Sequence, residues 1–531
     1  MKLDHRKVFH AGLIFFGIAL FWQTYDMIVA RALIDKFGLN QTWSGLVMAL
    51  DNIMAVFLLP VFGALSDRSR SRFGRRTPFI VVGTLVAAVA FMGLSFADRQ
   101  QSLEIGMTDI RTGHYDIAFD ENADLHDKAH WESVVTIMTG ERNDSLASGR
   151  ISRNDYALWD DTIREPMTQL LEDAGDTLST RERAIIQDTY YNYLSSRAWE
   201  ITASDPVTFI VFTSLLFIAL VAMAIYRSPA VALMPDITVK PLRSKANAVV
   251  NLMGAFGGLL AVNIIMFSGL NKHSYDQQTF IYVITGVIMV VLLLVFLKHF
   301  DEAGWTREKE EDDIRYGIRE EDASKSGHLM TKAQRRSLFF LLASVFLWYA
   351  GYNAVMTKIA DYMPKVLNMD FYEFPFIVAQ VAVVAMILPI GILSMKIERK
   401  TMIQTGILMT GLGMLSIVFV GEGERWLVAS IIAFAGAGWA MINVNSYPMV
   451  ADLSDGSDVG RFTGYYYSAA MLSQIFTPIL SGILMDRFGR LVLFPYGAFF
   501  ILMSFVTMVF VDRSESLSIF KRFRRKRNGP Q

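Results

Sequence analysis

The residues of this chain that could do chemistry stand singly inside long apolar stretches. Asp51, with Asn52, lies in the middle of the run at 43–65, and Arg227 interrupts the run at 206–235. Asp26 follows Trp22-Gln23-Thr24-Tyr25 in the outer third of 8–30. An ionisable side chain in such surroundings needs a compensating partner and marks a functional position. Asp51 reads as a proton-coupling or substrate-binding carboxylate, with a lasting ion pair to Arg227 as the structural alternative. Asp26 reads either as a cavity wall or as a boundary residue partnered by Arg31. Further along, Tyr349, Tyr352 and Asn353 stand at helical spacing beside Trp348, and Asn443 and Tyr447 do the same with Asn445 between them. Gln380 and Gln474 add two more amides. Planar amides, carboxylates and aromatic faces suit a polyhydroxylated ligand, although the same residue types also glue membrane helices together.

Other chemistries are excluded or weak. The chain has no cysteine, so disulfides, thiolate metal sites and cysteine catalysis are absent. No nucleotide-binding loop, Ser/His/Asp arrangement or HExxH motif occurs, which argues against ATP use, enzymatic activity, a cofactor or a metal. Asp120-Glu-Asn122-Ala-Asp124 opens like a calcium loop, but Leu125 fills the required glycine position and Trp131 that of the closing glutamate.

The elements that must position these residues are membrane spans. The chain has 531 residues, 53% of them hydrophobic and only 19% charged. The charges crowd 66–77, 98–205, 300–336 and 513–531, as expected where a charge at mid-bilayer costs about 2.5–3.5 kcal/mol. About 20 apolar residues cross a bilayer. Twelve runs qualify, near 8–30, 43–65, 78–97, 206–235, 246–269, 278–299, 337–360, 373–395, 401–420, 426–451, 462–485 and 491–511. With the N-terminus inside, the inner segments hold 30 Lys/Arg and the five short outer connections 7, so both termini are expected in the cytoplasm.

Four expectations of organisation follow. Residues 1–97 and 206–299 form an N-terminal six-helix bundle, and 337–512 a C-terminal one. Residues 300–336 form a charged cytoplasmic linker, and 513–531 a basic tail able to touch anionic lipid. Residues 98–205, with 22 Asp/Glu against 10 Lys/Arg, form an extracytoplasmic inserted domain of unknown task, with helix-like apolar spacing from Trp159 to Trp199. The halves echo each other six spans apart: Gly63-Ala-Leu-Ser-Asp67-Arg68 matches Gly391-Ile-Leu-Ser-Met395-Lys396, and Met234-Pro-Asp236-Ile matches Val450-Ala-Asp452-Leu. The fold class is therefore all-α integral membrane, two pseudo-symmetric bundles around a midplane cavity.

The most specific string is Gly63-Ala-Leu-Ser-Asp67-Arg68-Ser-Arg-Ser-Arg72-Phe-Gly74-Arg75-Arg76-Thr-Pro78. It resembles the cytoplasmic signature loop between helices two and three of major facilitator transporters. Its longer spacing resembles the branch of sucrose–proton symporters, their animal relatives and melibiose permease-like glycoside–cation symporters. Tyr226-Arg227-Ser-Pro229, running to Pro235-Asp236, is similar to the fourth-helix region of that branch. The resemblance implies a cytoplasmic gate built from Gly63, Asp67, Arg68, Arg72, Gly74, Arg75, Arg76, Asp236 and Asp452. Gly63 would let the second helix close on a helix of the other half. Asp67 would accept N–H groups at a helix N-terminus and pair with Arg68 or Arg72.

Melibiose permease-like members carry a sugar-binding acid where this chain has Arg227, and cation-binding acids where it has Ala55 and Leu59, which argues against sodium coupling. Gly482-Ile-Leu-Met-Asp486-Arg487 imitates the signature loop at the opposite end and reads as a local turn.

These observations together predict a monomeric plasma-membrane transporter that moves a sugar or glycoside, with protons, by alternating access. It would need no cofactor, metal or nucleic acid. A carrier or exporter of an amphiphile, and a non-transporting solute sensor, are the alternatives.

Overall fold

A computed structural model describes residues 4–106, 114–118, 123–239, 242–268, 278–316, 332–369, 373–394, 397–451 and 459–511. Asp452 and the basic tail lie outside the described residues. Among the described residues the chain is helical without a strand.

The first half of the bundle is α1 (His5–Arg31), α2 (Gln41–Arg68), α3 (Thr77–Gly106), then, after the inserted segment, α9 (Val207–Ile237), α10 (Arg243–Phe267) and α11 (Thr279–His299). The second half is α13 (Lys332–Val366), α14 (Glu373–Leu393), α15 (Arg399–Ser416), α16 (Arg425–Ala451), α17 (Val459–Phe488) and α18 (Leu493–Val509). Eleven of these twelve are long and apolar enough to cross a membrane; the twelfth, α14, has its apolar stretch over Glu373–Met386. Each expected span is present, and several helices outrun it. The third ends at Gly106 rather than 97, because the charge of Asp98 does not stop it: Asp98 is fully buried and takes a 2.5 Å ion pair from Lys36.

Packing repeats with the period of six spans that the sequence echoes suggest. In the first half α1 packs on α10 and α11, α3 on α9 and α11, and α2 on α9. Their counterparts do the same: α13 on α17 and α18, α15 on α16 and α18, α14 on α16. Between the halves α2 lies along α17, and α10 along α14, again a matched pair. One apolar core runs through both halves, from Phe21 and Phe91 to Trp348 and Ile501.

The inserted segment adds α4 (His114–Ala118), α5 (Lys128–Ala147), α6 (Arg153–Trp159), α7 (Glu165–Asp173) and α8 (Thr180–Ser204). They enclose a separate core containing Trp131, Trp159, Met167, Tyr190 and Tyr193. Burial pushes the Tyr193 phenol up to about 12, so it stays neutral in that core. The linker begins with α12 (Glu302–Arg315), at the end of the bundle that carries residues 69–76, called here the loop end. The opposite end, where the inserted helices sit, is the insert end.

A capping box starts α8: Ser179 Oγ accepts from Glu182 N (3.3 Å), and the Glu182 carboxylate accepts from Ser179 N (2.8 Å) and Oγ (2.6 Å). These hydrogen bonds hold the Glu182 carboxyl below its ordinary value of 4.5. A depressed carboxyl stabilises the fold above its unfolded pKa and loses that contribution as pH falls through the folded value. Amide exchange in the first turn of α8, corrected for intrinsic rates, should therefore quicken as pH drops below 4.5, and Ser179→Ala should show the faster rate already at neutral pH.

Candidate functional site

The candidate site draws residues from both halves. Asp26 on α1 and Asp51 on α2 face one another closely enough for their charges to repel, and the Arg227 guanidinium on α9 acts on Asp51. No direct ion pair joins Asp51 to Arg227 among the described residues, so the lasting pair considered above is not formed. Asp51 instead accepts from its neighbour Asn52 Nδ2 at 2.6 Å. The guanidinium sits 5.9 Å from the centre of the Trp22 ring, a cation–π distance. Asp26 has no ion-pair partner among the described residues, for Arg31 turns one helical turn on to Asp35 at 3.2 Å.

From the second half, Asp26 meets Tyr352 on α13, and Arg227 meets Tyr467 on α17, both within electrostatic reach. Tyr352 lies flat on Trp439 of α16, with centroids 3.7 Å apart and planes at 2°. Tyr349 meets the same indole edge-on at 5.4 Å, and its hydroxyl donates to Asn443 Oδ1 at 3.3 Å. Behind that stack a cavity of about 350 Å³ is lined by Tyr352, Gln380 and Asn443 at polar positions and by Phe376, Met414 and Phe494 at apolar ones. Trp22 Nε1, Tyr25 Oη and Asn353 Nδ2 are buried without a hydrogen-bond partner among the described residues. Such groups are costly unless something pairs with them during function.

Asn443 and Asn445 each donate to their own helix, to Trp439 O at 3.2 Å and Met441 O at 2.9 Å; Asn443 also takes the Tyr349 hydroxyl and lines the cavity, whereas Asn445 is buried.

At the loop end the signature residues form a knot within the first half. Arg76 donates from Nε to Asp236 (2.9 Å) and from Nη1 to Ser66 Oγ (2.5 Å), and pairs with Asp67 (2.5 Å). Arg75 reaches Asp236 at 3.7 Å. Burial works against the Arg76 charge, but Asp236 and Asp67 outweigh it and raise its pKa above the ordinary arginine value. Glu302 of the linker accepts from Arg76 N (2.8 Å) and from Thr77 N and Oγ1 (2.8 and 2.7 Å), capping α3. The residue beside this cap, Gly74, has φ +105°, where a Cβ would also strike the Glu302 carboxylate.

Two expectations are corrected here. Asp67 pairs with Arg76, not Arg68 or Arg72; Arg76 is the guanidinium held rigidly beside it, while Arg72 stacks over Phe73 at 4.6 Å. Gly63 faces Ser228 of α9, in its own half, with 3.0 Å available to a Cβ.

The residues that sequence reading missed are at the insert end. Asp361 on α13 lies between Arg490 Nε (2.8 Å) and Lys365 (2.5 Å), and also accepts from Gln41 Nε2 (2.8 Å) across the halves. Lys365 pairs in turn with Asp35 of the first half. Lys358 donates to Gln41 O and Oε1 at 3.0 Å. All except Gln41 and Asp35 are at most 3% exposed. Spacing at 358, 361 and 365 puts three charges on one helical face, a signal that was available but read as a span end.

The imitation of the signature loop is part of this joint and not a local turn. Asp486 accepts from Gln41 N (2.8 Å) and Thr42 N (2.9 Å), capping α2 from the other half. The helices touch there: a Cβ on Gly45 would be 2.2 Å from Pro478 O, and one on Gly482 2.4 Å from Gln41 O.

The matching family models are the Major Facilitator Superfamily, over residues 198–388 and 372–530, and MFS/sugar transport protein, over 11–106. The first alone spans more than half of the chain. The chain belongs to the major facilitator superfamily. Its family is one of multi-pass membrane transporters rather than of enzymes.

Among curated relatives it is 35% identical over 109 residues to the proton-associated sugar transporter A of Homo sapiens, covering 20% of this chain and 14% of that one. It is 24% identical over 111 residues to the sucrose transport protein SUC4 of Arabidopsis thaliana, covering 19% of this chain and 22% of the relative. The chain thus matches less than a quarter of the length of either.

The E. coli xylose transporter XylE in its inward-open conformation superposes with a TM-score of 0.52 at 14% identity, over 96% of both chains. A bacterial homologue of the iron transporter ferroportin, in an inward-facing state, gives 0.57 at 12%, over 96% of this chain and 100% of that one. Both likenesses concern the fold.

Removing Arg490 leaves the Asp188 carboxylate without its cation and Asp361 with Lys365 alone, a loss of about 3–5 kcal/mol. Arg490→Met should lower the thermal midpoint in detergent sharply. Exposed Arg487→Met should leave it within about 0.5 kcal/mol.

Proposed function

We propose that this transporter carries a sugar or glycoside across the plasma membrane by alternating access, in symport with protons. The observation that carries the reading is the site shared between halves: two carboxylates, one guanidinium, several amides and a flat aromatic stack. A sugar ring offers hydroxyls to the carboxylates and amides and C–H faces to Tyr352 and Trp439. The names of the relatives, a proton-associated sugar transporter and a sucrose transport protein, support the same class.

Charge balance supports the proton. Asp26 and Asp51 bring two negative charges against the single positive charge of Arg227, and buried charges must be compensated. One proton supplies the missing positive charge, and its departure on the opposite side couples solute to the proton gradient. Asp51, which acts on Asp26 and is itself acted on by Arg227, is the coupling carboxylate; Gln380, Asn353, Asn443, Tyr349 and Tyr352 orient the solute.

The loop end is cytoplasmic in this reading, both termini included, and the insert end faces outward. The joint of Gln41, Asp361, Lys365, Arg490 and Asp486 then closes the outer side. Since α2 and α17 run antiparallel, Asp67 stands at the loop end of α2 in the position that Asp486 holds at the insert end of α17. The signature knot, with Asp236 in it, is the gate that rearranges when the inner side closes, and Asp452 keeps its expected place in that gate by sequence alone.

The apolar walls of the 350 Å³ cavity favour a second reading, an amphiphilic cargo.

The test is proton movement in proteoliposomes holding a pH dye, challenged with mono- and disaccharides. Lumenal acidification on adding a sugar outside, lost in Asp51→Asn and reduced at least tenfold in Arg227→Leu, is the expected outcome, ~1.4 kcal/mol per factor of ten. No response to any sugar, with the protein folded and monodisperse, would contradict the sugar reading and leave the amphiphile.

A further inference from the structure

We propose that the inserted domain is a clasp, and that its helix α8 ties the two halves together across their seam at the insert end. The inference concerns how the halves part and holds whichever solute is carried.

The C-terminal stretch of α8 is fixed to the first half. The turn between α1 and α2 presses on it so closely that a Cβ on Gly38 (φ +69°) would lie 2.2 Å from Trp199 N and 2.3 Å from Ser195 O. Gln101 of α3 donates to Thr202 Oγ1 at 3.2 Å. The N-terminal stretch is fixed to the second half. Arg183, 1% exposed, donates from Nη2 to Val366 O (2.8 Å) at the end of α13 and pairs with Glu422 (2.5 Å), between α15 and α16. One turn on, Asp188 accepts from Arg490 Nη1 at 2.5 Å, and Asn192 accepts from the same nitrogen at 3.0 Å. Tyr191 places its ring 5.1 Å from Lys365 Nζ. From Arg183 to Thr202 the helix advances about 28 Å, enough to span the junction of two bundles.

Attachment of this kind is not what a merely appended domain shows. The insert has its own core and could sit on one half alone, yet two of its buried charges, Arg183 and Asp188, are paired with residues of the other half. Arg490 is shared: it serves Asp361 within the second half and Asp188 on the clasp with one guanidinium. His126, just before α5, adds a contact to Glu422 at 3.0 Å. Separation of the halves at this end must break the Arg183 and Asp188 contacts or carry the insert with one half. The clasp therefore biases the transporter toward the state closed at the insert end, and its buried ion pairs set the size of that bias.

The absence of native cysteine allows clean spin labelling. Trp43 and Trp426, 58% and 65% exposed at the insert-end starts of α2 and α16, are replaced by Cys and labelled. Distance distributions are then measured in nanodiscs by double electron–electron resonance, without added solute. The clasp predicts one short-distance population in the otherwise native protein. Arg183→Ala and Asp188→Asn should each raise the ratio of longer to shorter distances roughly tenfold or more. Arg164→Ala, which removes an ion pair to Asp160 within the insert, should change nothing. Asp188→Asn keeps the side chain's shape, so it decides the matter if Arg183→Ala does not fold. An unchanged distribution in folded Asp188→Asn protein would overturn the proposal. So would a second label pair, Leu158 and Trp426, that separates while the first does not, since the joint would then hold without the clasp. Neither result bears on sugar transport.

Discussion

The structure depends on a single buried guanidinium. Arg490 stands in the short turn just before α18 at the insert end, and its planar fork reaches Asp361 of α13 in one direction and Asp188 and Asn192 of the insert in the other. Only arginine offers several donors in fixed directions, so one side chain can satisfy acids on two elements at once. Lys365 extends the chain of charge from Asp361 to Asp35, and Gln41 and Asp486 complete the contact with α2. Buried ion pairs add little net stability compared with apolar packing, but breaking one is costly. That asymmetry suits a joint that, under the proposed alternating access, holds in one state and gives way as a unit in another.

Much of the bundle was legible in the sequence because the bilayer imposes a simple rule. Twelve apolar runs became twelve long helices, and echoes six spans apart foreshadowed the repeated packing of α1 on α10 and α13 on α17. Asp26, Asp51 and Arg227 stood out because a charge inside an apolar run has no neutral explanation. The joint at the insert end was hidden for the opposite reason. Lys358, Asp361 and Lys365 lie where a span ends, and charge is ordinary there; what pairs and buries them, Gln41 and Asp35 of the first half, Arg490, and Tyr191 of the insert, is distant in sequence. Asp486 was misread on similar grounds, since its partners, the first amides of α2, are separated from it by most of the chain. Asp67 shows the limit of motif reading in a different way: its neighbour in sequence, Arg68, is not its partner, because Arg76 is brought in by the turn at Gly74.

The two ends of the molecule share one physical device. At the loop end Glu302 caps α3 and Arg76 knots α2 to α9; at the insert end Asp486 caps α2 and Arg490 knots α13 to the insert. Between them lies the polar site, where the first half contributes charge and the second contributes aromatic and amide surface. A solute held there, as proposed, would touch both halves, which is the condition for its binding to shift the balance between their arrangements.

The central claim is that this shared site holds the solute, and a cryo-EM map of the protein with a saturating disaccharide tests it most directly. The account predicts density against the face of the Tyr352–Trp439 stack and within hydrogen-bonding distance of Asp51 or Asp26. Density confined to another part of the molecule, with the site between the halves unchanged, would contradict it.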